Sequence, residues 1–431
     1  MNPPDPYLPG LGDPRYAVLA YDLDLDYTIA TNHLAGRTRL ECRILTDTAT
    51  LALDLSGLRA LTVRCTGATV KSHAQRANRL TIRFTERLPA GTEITLTVST
   101  KGAPRPRRGP DGMAGWEELD DGIIVASQPH GASTWFPCND RTSNKARYRI
   151  ALACEPEYAV IANGRLAERR KAGRKVRWVY VQDEPMAPYL ATVQIGRYEV
   201  REQQASIPCR IVGPPRLRTA ITTAFADQPR MIDLFEEVFG PYPFTAGYTA
   251  VVTDDDLEIP LEAQTMATFG ANFTNRQWES QRLIAHELSH QWWGNSVTAG
   301  QARDIWLHEG FACYAEWLWS PLGTGVPTQQ RVEHHWNRLA ALPQDLVVTD
   351  PGAKHLFDDR VYKRGALTLA AVRAELGDDR FFSLLRTWGA RHAHSVVSTA
   401  DFEALVAEIA GRSLTGLFDA WLRSPALPAL P

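Results

Sequence analysis

His286-Glu287-Leu288-Ser289-His290, followed after eighteen intervening residues by Glu309 in Trp306-Leu307-His308-Glu309-Gly310-Phe311-Ala312-Cys313-Tyr314-Ala315-Glu316, is the stretch from which the rest of the chain is read. Histidines four residues apart in a helix lie about one turn apart on a single face. Both imidazoles then reach one Zn²⁺ at roughly 2.0–2.1 Å, and the glutamate between them stands beside the water. The neighbouring sequence predicts that helix. Thr274 and Gln277 have the spacing of a capping box, Asn275 to Trp293 contains no Pro or Gly, and Gly294 is a stop. A catalytic zinc takes three protein ligands and keeps a fourth position open. Glu309 is the candidate third ligand. Glu316, two turns along the same face as Glu309, is placed to orient a ligand histidine. The expected cofactor is one zinc per chain, held by His286, His290 and Glu309.

Upstream of this stretch the period is two. Tyr21, Leu23, Leu25 and Tyr27 alternate with Asp22, Asp24 and Asp26, and Thr38, Leu40, Cys42 and Ile44 alternate with Arg39, Glu41 and Arg43. Leu80, Ile82 and Phe84, then Ile94, Leu96 and Val98, repeat the pattern, and Val176–Val181 is a further strand. One buried and one wet face predicts antiparallel sheets packed as a sandwich. From about residue 203 helical lengths appear: Thr219–Val238 broken by Pro229, then Glu309–Trp319, Ala366–Leu376 and Asp401–Ile409. Tyr248–Thr253 is a strand ahead of the histidine helix. The expected fold is a multidomain α and β chain. An N-terminal antiparallel β-sandwich-like domain (1–202) precedes an α/β catalytic domain (203–431).

Composition bounds the function. The chain has 431 residues, 44% hydrophobic and 22% charged, with a net charge of −2. No basic stripe stands out, so neither nucleic acid nor an anionic membrane is an expected partner. No apolar run approaches the ~20 residues of a spanning helix. Met1-Asn2-Pro3-Pro4-Asp5-Pro6 has neither the basic nor the apolar region of a signal peptide, which predicts a cytoplasmic protein. The six cysteines include no C-x-x-C pair and read as buried free thiols. Asp254-Asp255-Asp256 reads as a solvated loop.

The chain resembles the aminopeptidase N family of gluzincins, which includes the leukotriene hydrolases. That family carries H-E-x-x-H, eighteen residues, then Glu within W-L-N-E-G-F-A-x-Y-x-E; here His308 replaces Asn. Asp5-Pro6-Tyr7, Tyr21-Asp22-Leu23-Asp24-Leu25 and Leu34-Ala35-Gly36-Arg37-Thr38 are similar to its opening. Phe136-Pro137-Cys138-Asn139-Asp140 with Lys145-Ala146 is similar to its F-P-C-x-D-x-P-x-x-K-A block, with Thr142 where Pro is usual. The resemblance implies a thermolysin-like catalytic domain and a short form without the family's C-terminal helical domain, hence a more open site. It implies that Glu262, in Ile259-Pro260-Leu261-Glu262-Ala263, binds the substrate's α-amine, although only the glutamate of the family's G-x-M-E-N is kept. Gln128 lines the same subsite. The resemblance likewise implies that Tyr362, in Tyr362-Lys363-Arg364-Gly365, donates to the oxyanion. The implied activity is that of a zinc aminopeptidase acting on peptides, with Glu287 as general base. The loss of Gly, Met and Asn around Glu262 leaves two enzymatic alternatives, an endopeptidase and an epoxide hydrolase. A non-catalytic peptide-binding protein is a third. Oligomeric state is not legible.

Overall fold

The protein was analysed as a computed structural model describing residues 4–109 and 112–430. Met1, Asn2 and Pro3, part of the N-terminus read above as lacking a signal peptide, lie outside the described residues.

The alternating stretches form the expected strands. A seven-stranded sheet runs in the order Arg165–Ala172, Lys175–Met186, Ala146–Cys154, Tyr16–Thr28, His33–Ile44, Glu93–Gly102, Leu58–Thr66. Tyr21, Leu23, Leu25 and Tyr27 point into its core. The intervening aspartates face out and meet cations on neighbouring strands: Asp22 with Arg149 at 2.8 Å, Asp24 with Arg177 at 2.7 Å, Asp26 with Lys175 at 2.6 Å. The sheet is not wholly antiparallel, because Tyr16–Thr28 pairs with Ala146–Cys154 in parallel. A three-stranded sheet (Thr48–Asp54, Arg79–Leu88, Val70–Arg76) and a five-stranded sheet share the same core.

Strand Glu199–Gln203, which straddles the expected boundary at 202, pairs with Cys209–Gly213 and so joins the second domain's sheet. That sheet continues through Tyr248–Val252, Met266–Phe269 and Leu261–Ala263, parallel in the middle and antiparallel at both ends. The short pair Leu261–Ala263 and Met266–Phe269, unread in the sequence, carries Glu262.

Four helices set up the site: α1 (Gln228–Phe239), α2 (Trp278–Ser289), α3 (Trp306–Thr324) and α4 (Asp359–Leu376). The span Thr219–Val238 splits into Arg218–Ala224 and α1, with Pro229 in the first turn of α1, where its missing N–H costs nothing. The capping box at Thr274 does not form. Thr274 Oγ1 donates instead to the Ala271 carbonyl at 2.6 Å, and Gln277 is the extended residue before α2. The helix therefore starts three residues later than expected, and the turn at Gly294 follows it with φ +114°. Every residue of α3 from Trp306 to Ser320 is buried, as suits a helix packed on all sides. It lies between α2 and α4. The fourth helix begins seven residues before the expected Ala366, capped by Asp358, whose carboxylate accepts from Arg360 N at 2.9 Å. Gly365 obscured this start, since glycine costs a helix about 1 kcal/mol. Its place is decided by Gly310 of α3. A Cβ on Gly310 would come 2.8 Å from the Gly365 backbone, so the two helices touch backbone to backbone.

Candidate active site

The fold brings His286, His290 and Glu309 together. The Nε2 atoms of His286 and His290 lie 3.3 and 3.5 Å from Glu309 Oε2. The edge of a tetrahedron with ~2.0–2.1 Å metal–ligand bonds is about 3.3–3.4 Å, so this donor set fits zinc. The outer nitrogens are engaged as metal-binding histidines require. His286 Nδ1 donates to Glu316 Oε1 at 2.7 Å and His290 Nδ1 donates to the Trp293 carbonyl at 2.9 Å. Both bonds engage Nδ1 and turn Nε2 toward Glu309, the orientation that ligation through Nε2 requires. The expected orienting contact of Glu316 is thus present.

The remaining candidates line one cleft of about 790 Å³ beside these ligands. Glu287, Glu262 and His290 bring ligand atoms within 4.8 Å of one another. Glu287 has no hydrogen bond to protein among the described residues, so its carboxylate is available to the cleft. Gln128 Nε2 donates to Glu262 Oε1 at 2.7 Å, joining the two domains at the site. The Tyr362 ring stacks on His286 at 6.1 Å between centroids, and its hydroxyl has no protein partner among the described residues.

Residues 18–190 match the Peptidase M1 N-terminal domain, and residues 224–421 match the Peptidase family M1 domain. The chain belongs to peptidase family M1. A two-domain M1 zinc metallopeptidase bound to L-tryptophan superposes with a TM-score of 0.91 at 27% identity, over 99% of each chain. An M1 zinc metallopeptidase from Deinococcus radiodurans, bound to a Tyr-Ser-Ala substrate, gives the same score and identity over 99% of this chain and 98% of that one. Among curated proteins, a leucyl aminopeptidase of Saccharolobus solfataricus is 22% identical over 95% of this chain and 53% of its own length. Aminopeptidase M1-A of Oryza sativa is 25% identical over 98% and 51%. The M1 chain thus spans about half the length of the curated relatives it matches.

Electrostatics at this M1 centre favour positive charge. Burial raises Glu262 to about 7 and raises Glu287, and the neighbouring Glu309 carboxylate reinforces both. Burial alone would raise Glu309 too, but His290 and His286 hold it well below the usual carboxylate range. Burial opposes charge on His290, yet Glu262 and Glu309 raise it to about 9. Burial, with nearby carboxylates, keeps the Tyr362 phenol protonated far above its ordinary range.

The altered residues around Glu262 do not displace it, because backbone and helix contacts hold its strand. Glu262 pairs with Ala267 across the hairpin. Gln291, just past α2, accepts from Thr265 N at 2.8 Å and donates to the Ala263 carbonyl at 3.1 Å. From the β domain, Asn163 donates to the Gln264 carbonyl at 2.7 Å, and Gln194 donates to Thr268 Oγ1 at 2.9 Å. His308, which replaces Asn in the family pattern, is buried. Its Nε2 accepts from Ala299 N at 2.7 Å, and burial lowers its pKa to about 3, so it stays neutral. Sequence reasoning missed the groups around Glu316. Arg282 Nη1 lies 3.3 Å from both its oxygens, and Cys313 Sγ lies 3.6 Å from Oε1 and 3.0 Å from Lys363 Nζ. One signal was available: Arg282 stands four residues before His286, on the same helix face.

Proposed function

We propose that this M1 chain is a zinc aminopeptidase that removes the N-terminal residue of peptides, with His286, His290 and Glu309 holding the metal. The observation that carries the reading is Glu262. It is a buried carboxylate, paired with Gln128, and its oxygen lies within 4.8 Å of both Glu287 and His290 ligand atoms. An ammonium is its natural partner. A peptide whose α-amine rests there presents its first peptide bond, one residue away, to Glu287.

Zinc, when bound, supplies the Lewis acidity that makes a water nucleophilic near neutral pH. Glu287, unpartnered and facing the cleft, takes the proton of the attacking water and returns it to the leaving amine. The Tyr362 hydroxyl donates to the oxygen that gains charge as the carbonyl is attacked. Glu262 and Gln128 fix the amine so that the reacting atoms meet in one register. The Glu316 bond keeps the His286 lone pair aimed at the centre. A cytoplasmic location belongs to the same reading. It is supported by six cysteines that all remain free thiols and by the absence, among the described residues, of a helix long and apolar enough to cross a membrane.

The test compares matched peptides with free and acetylated N-termini. Acetylation removes the charge that Glu262 binds, so acetylated peptides are expected to be poor substrates. A charged hydrogen bond contributes about 1.5–3 kcal/mol, so Glu262→Ala should lower kcat/KM for free peptides at least about tenfold. Equal cleavage of both forms, or internal cuts in long peptides, would favour the endopeptidase instead.

A further inference from the structure

The cleft has two cationic side chains that this mechanism leaves unassigned. Among the residues lining it, Arg282 and Lys363 are the arginine and the lysine, and both lie beside Glu316. Arg282 precedes His286 by one turn on the cleft face of α2. The Glu262 carboxylate lies at the other side, by His290, one turn after His286. Residues 282 and 290 are separated by about 12 Å along the helix axis. Along the helix axis the amine-binding carboxylate and Arg282 therefore lie toward opposite ends of the stretch that carries His286, and a substrate held at Glu262 would extend its leaving part toward Arg282.

The guanidinium has capacity to spare. Nη1 is engaged with Glu316 at 3.3 Å, while Nε and Nη2 have no protein hydrogen bond among the described residues. The side chain is 31% exposed. Behind it, buried Lys363 adds a second positive charge, with Asp359 at 3.7 Å. Glu316 is shared with His286, and Asp359, which also lines the cleft, lies 3.7 Å from Lys363, so these carboxylates offset part of the charge while the Nε and Nη2 edge of Arg282 is left without a protein partner among the described residues. The Nε and Nη2 edge of an arginine matches the two oxygens of a carboxylate.

We propose that Arg282, backed by Lys363, binds a carboxylate on the leaving side of the substrate. Two sources supply that group: the free C-terminus of a dipeptide or tripeptide, and the side chain of an aspartate or glutamate that follows the cut bond. An extended tripeptide spans about 10 Å, comparable to the separation of the two ends. The inference rests on the aminopeptidase reading and adds to it a preference for short or acidic peptides.

The experiment measures ratios of kcat/KM on the zinc-loaded enzyme. One pair is Leu-Ala-Ala as free acid and as C-terminal amide. The other is Leu-Asp-Ala-amide and Leu-Asn-Ala-amide. The wild type is expected to favour the carboxylate member of at least one pair about tenfold or more, chiefly through KM, with the ratio falling as salt rises. The first pair identifies a C-terminus, the second an acidic side chain. Arg282→Gln should bring the ratio close to one, and Arg282→Lys should restore part of it. Because a ratio is read, a general loss from weaker support of Glu316 does not imitate the result. Wild-type ratios near one in both pairs, or a ratio that survives Arg282→Gln, overturn the inference while amide cleavage continues. If no peptide in either pair is cut, the aminopeptidase reading itself falls, and this inference falls with it.

Discussion

Glu287 and Tyr362 have in common that neither is held by the protein. Both side chains end in the cleft without a protein partner among the described residues, which is wasteful for stability and useful for a reaction. Glu287→Gln is expected to retain zinc and lose nearly all turnover, because an amide cannot accept the water's proton. Tyr362→Phe should lower kcat by about 10²–10³ and change KM far less, since its hydrogen bond forms chiefly in the transition state. Metal analysis alongside steady-state kinetics checks both. Turnover near that of wild type in either variant removes the residue from the mechanism.

The candidate ligand Glu309 and the Tyr362 phenol sit on helices whose relative positions are set by small residues. Glu309 on α3 is followed at once by Gly310, and Tyr362 on α4 precedes Gly365 by three residues. The two glycines touch, so the separation of ligand and phenol is the separation of two bare backbones. A methyl on Gly310 meets the Gly365 Cα and carbonyl carbon at 2.8 Å, and no flexible side chain is there to move aside. The helices must part. Gly310→Ala should destabilise the fold by about 1–3 kcal/mol, the usual cost of overpacking. It should also lower kcat by drawing Tyr362 away from His286. Thermal melts with kinetics test this, and a variant unchanged in both would show that the contact does not set the spacing.

Over the whole molecule, the β domain takes part in the site and in the stability of the junction. It supplies Gln128 and braces the Glu262 hairpin through Asn163 and Gln194. Its opening segment is tied down at a pair of buried acids. Asp54 Oδ2 accepts from Gly12 N at 2.9 Å and from Asp140 N at 3.0 Å, while Asp140 Oδ2 has no partner. Burial, helped by the Asp54 charge, pushes Asp140 up to about 8. The folded chain then holds a proton on Asp140 that the unfolded chain gives up near its ordinary value of 3.8. Between these values folding binds more protons, so this group's contribution is fully present below about pH 4 and is lost as pH rises toward 8. The slope for one group is at most about 1.4 kcal/mol per pH unit. Asp140→Asn removes it. Wild-type stability relative to Asp140→Asn should fall between pH 5 and pH 8, as read from urea midpoints. Parallel pH profiles would show that Asp140 is ionised in the folded protein.

The chemistry was legible in one dimension because zinc binding from a helix is a matter of spacing. Histidines four positions apart share a helix face because of the helical turn, and a period of two announces a sheet with one wet face. Local patterns gave less at the boundaries. Thr274 forms no cap because its hydroxyl turns back to Ala271, and the start of α4 was hidden by a glycine whose reason lies in another helix. The resemblance put Gln128 in the subsite of Glu262, but only folding shows the direct 2.7 Å bond between them, since 134 residues separate the two. Folding also kept Glu262 in position despite the altered residues beside it, because Gln291 and the β domain hold that strand by its backbone. The same is true of Arg282, which reads as an ordinary helix charge until α3 and α4 bring Glu316 and Lys363 against it. Spacing along a chain reports what one element can present, and only the packing of elements reports what meets it.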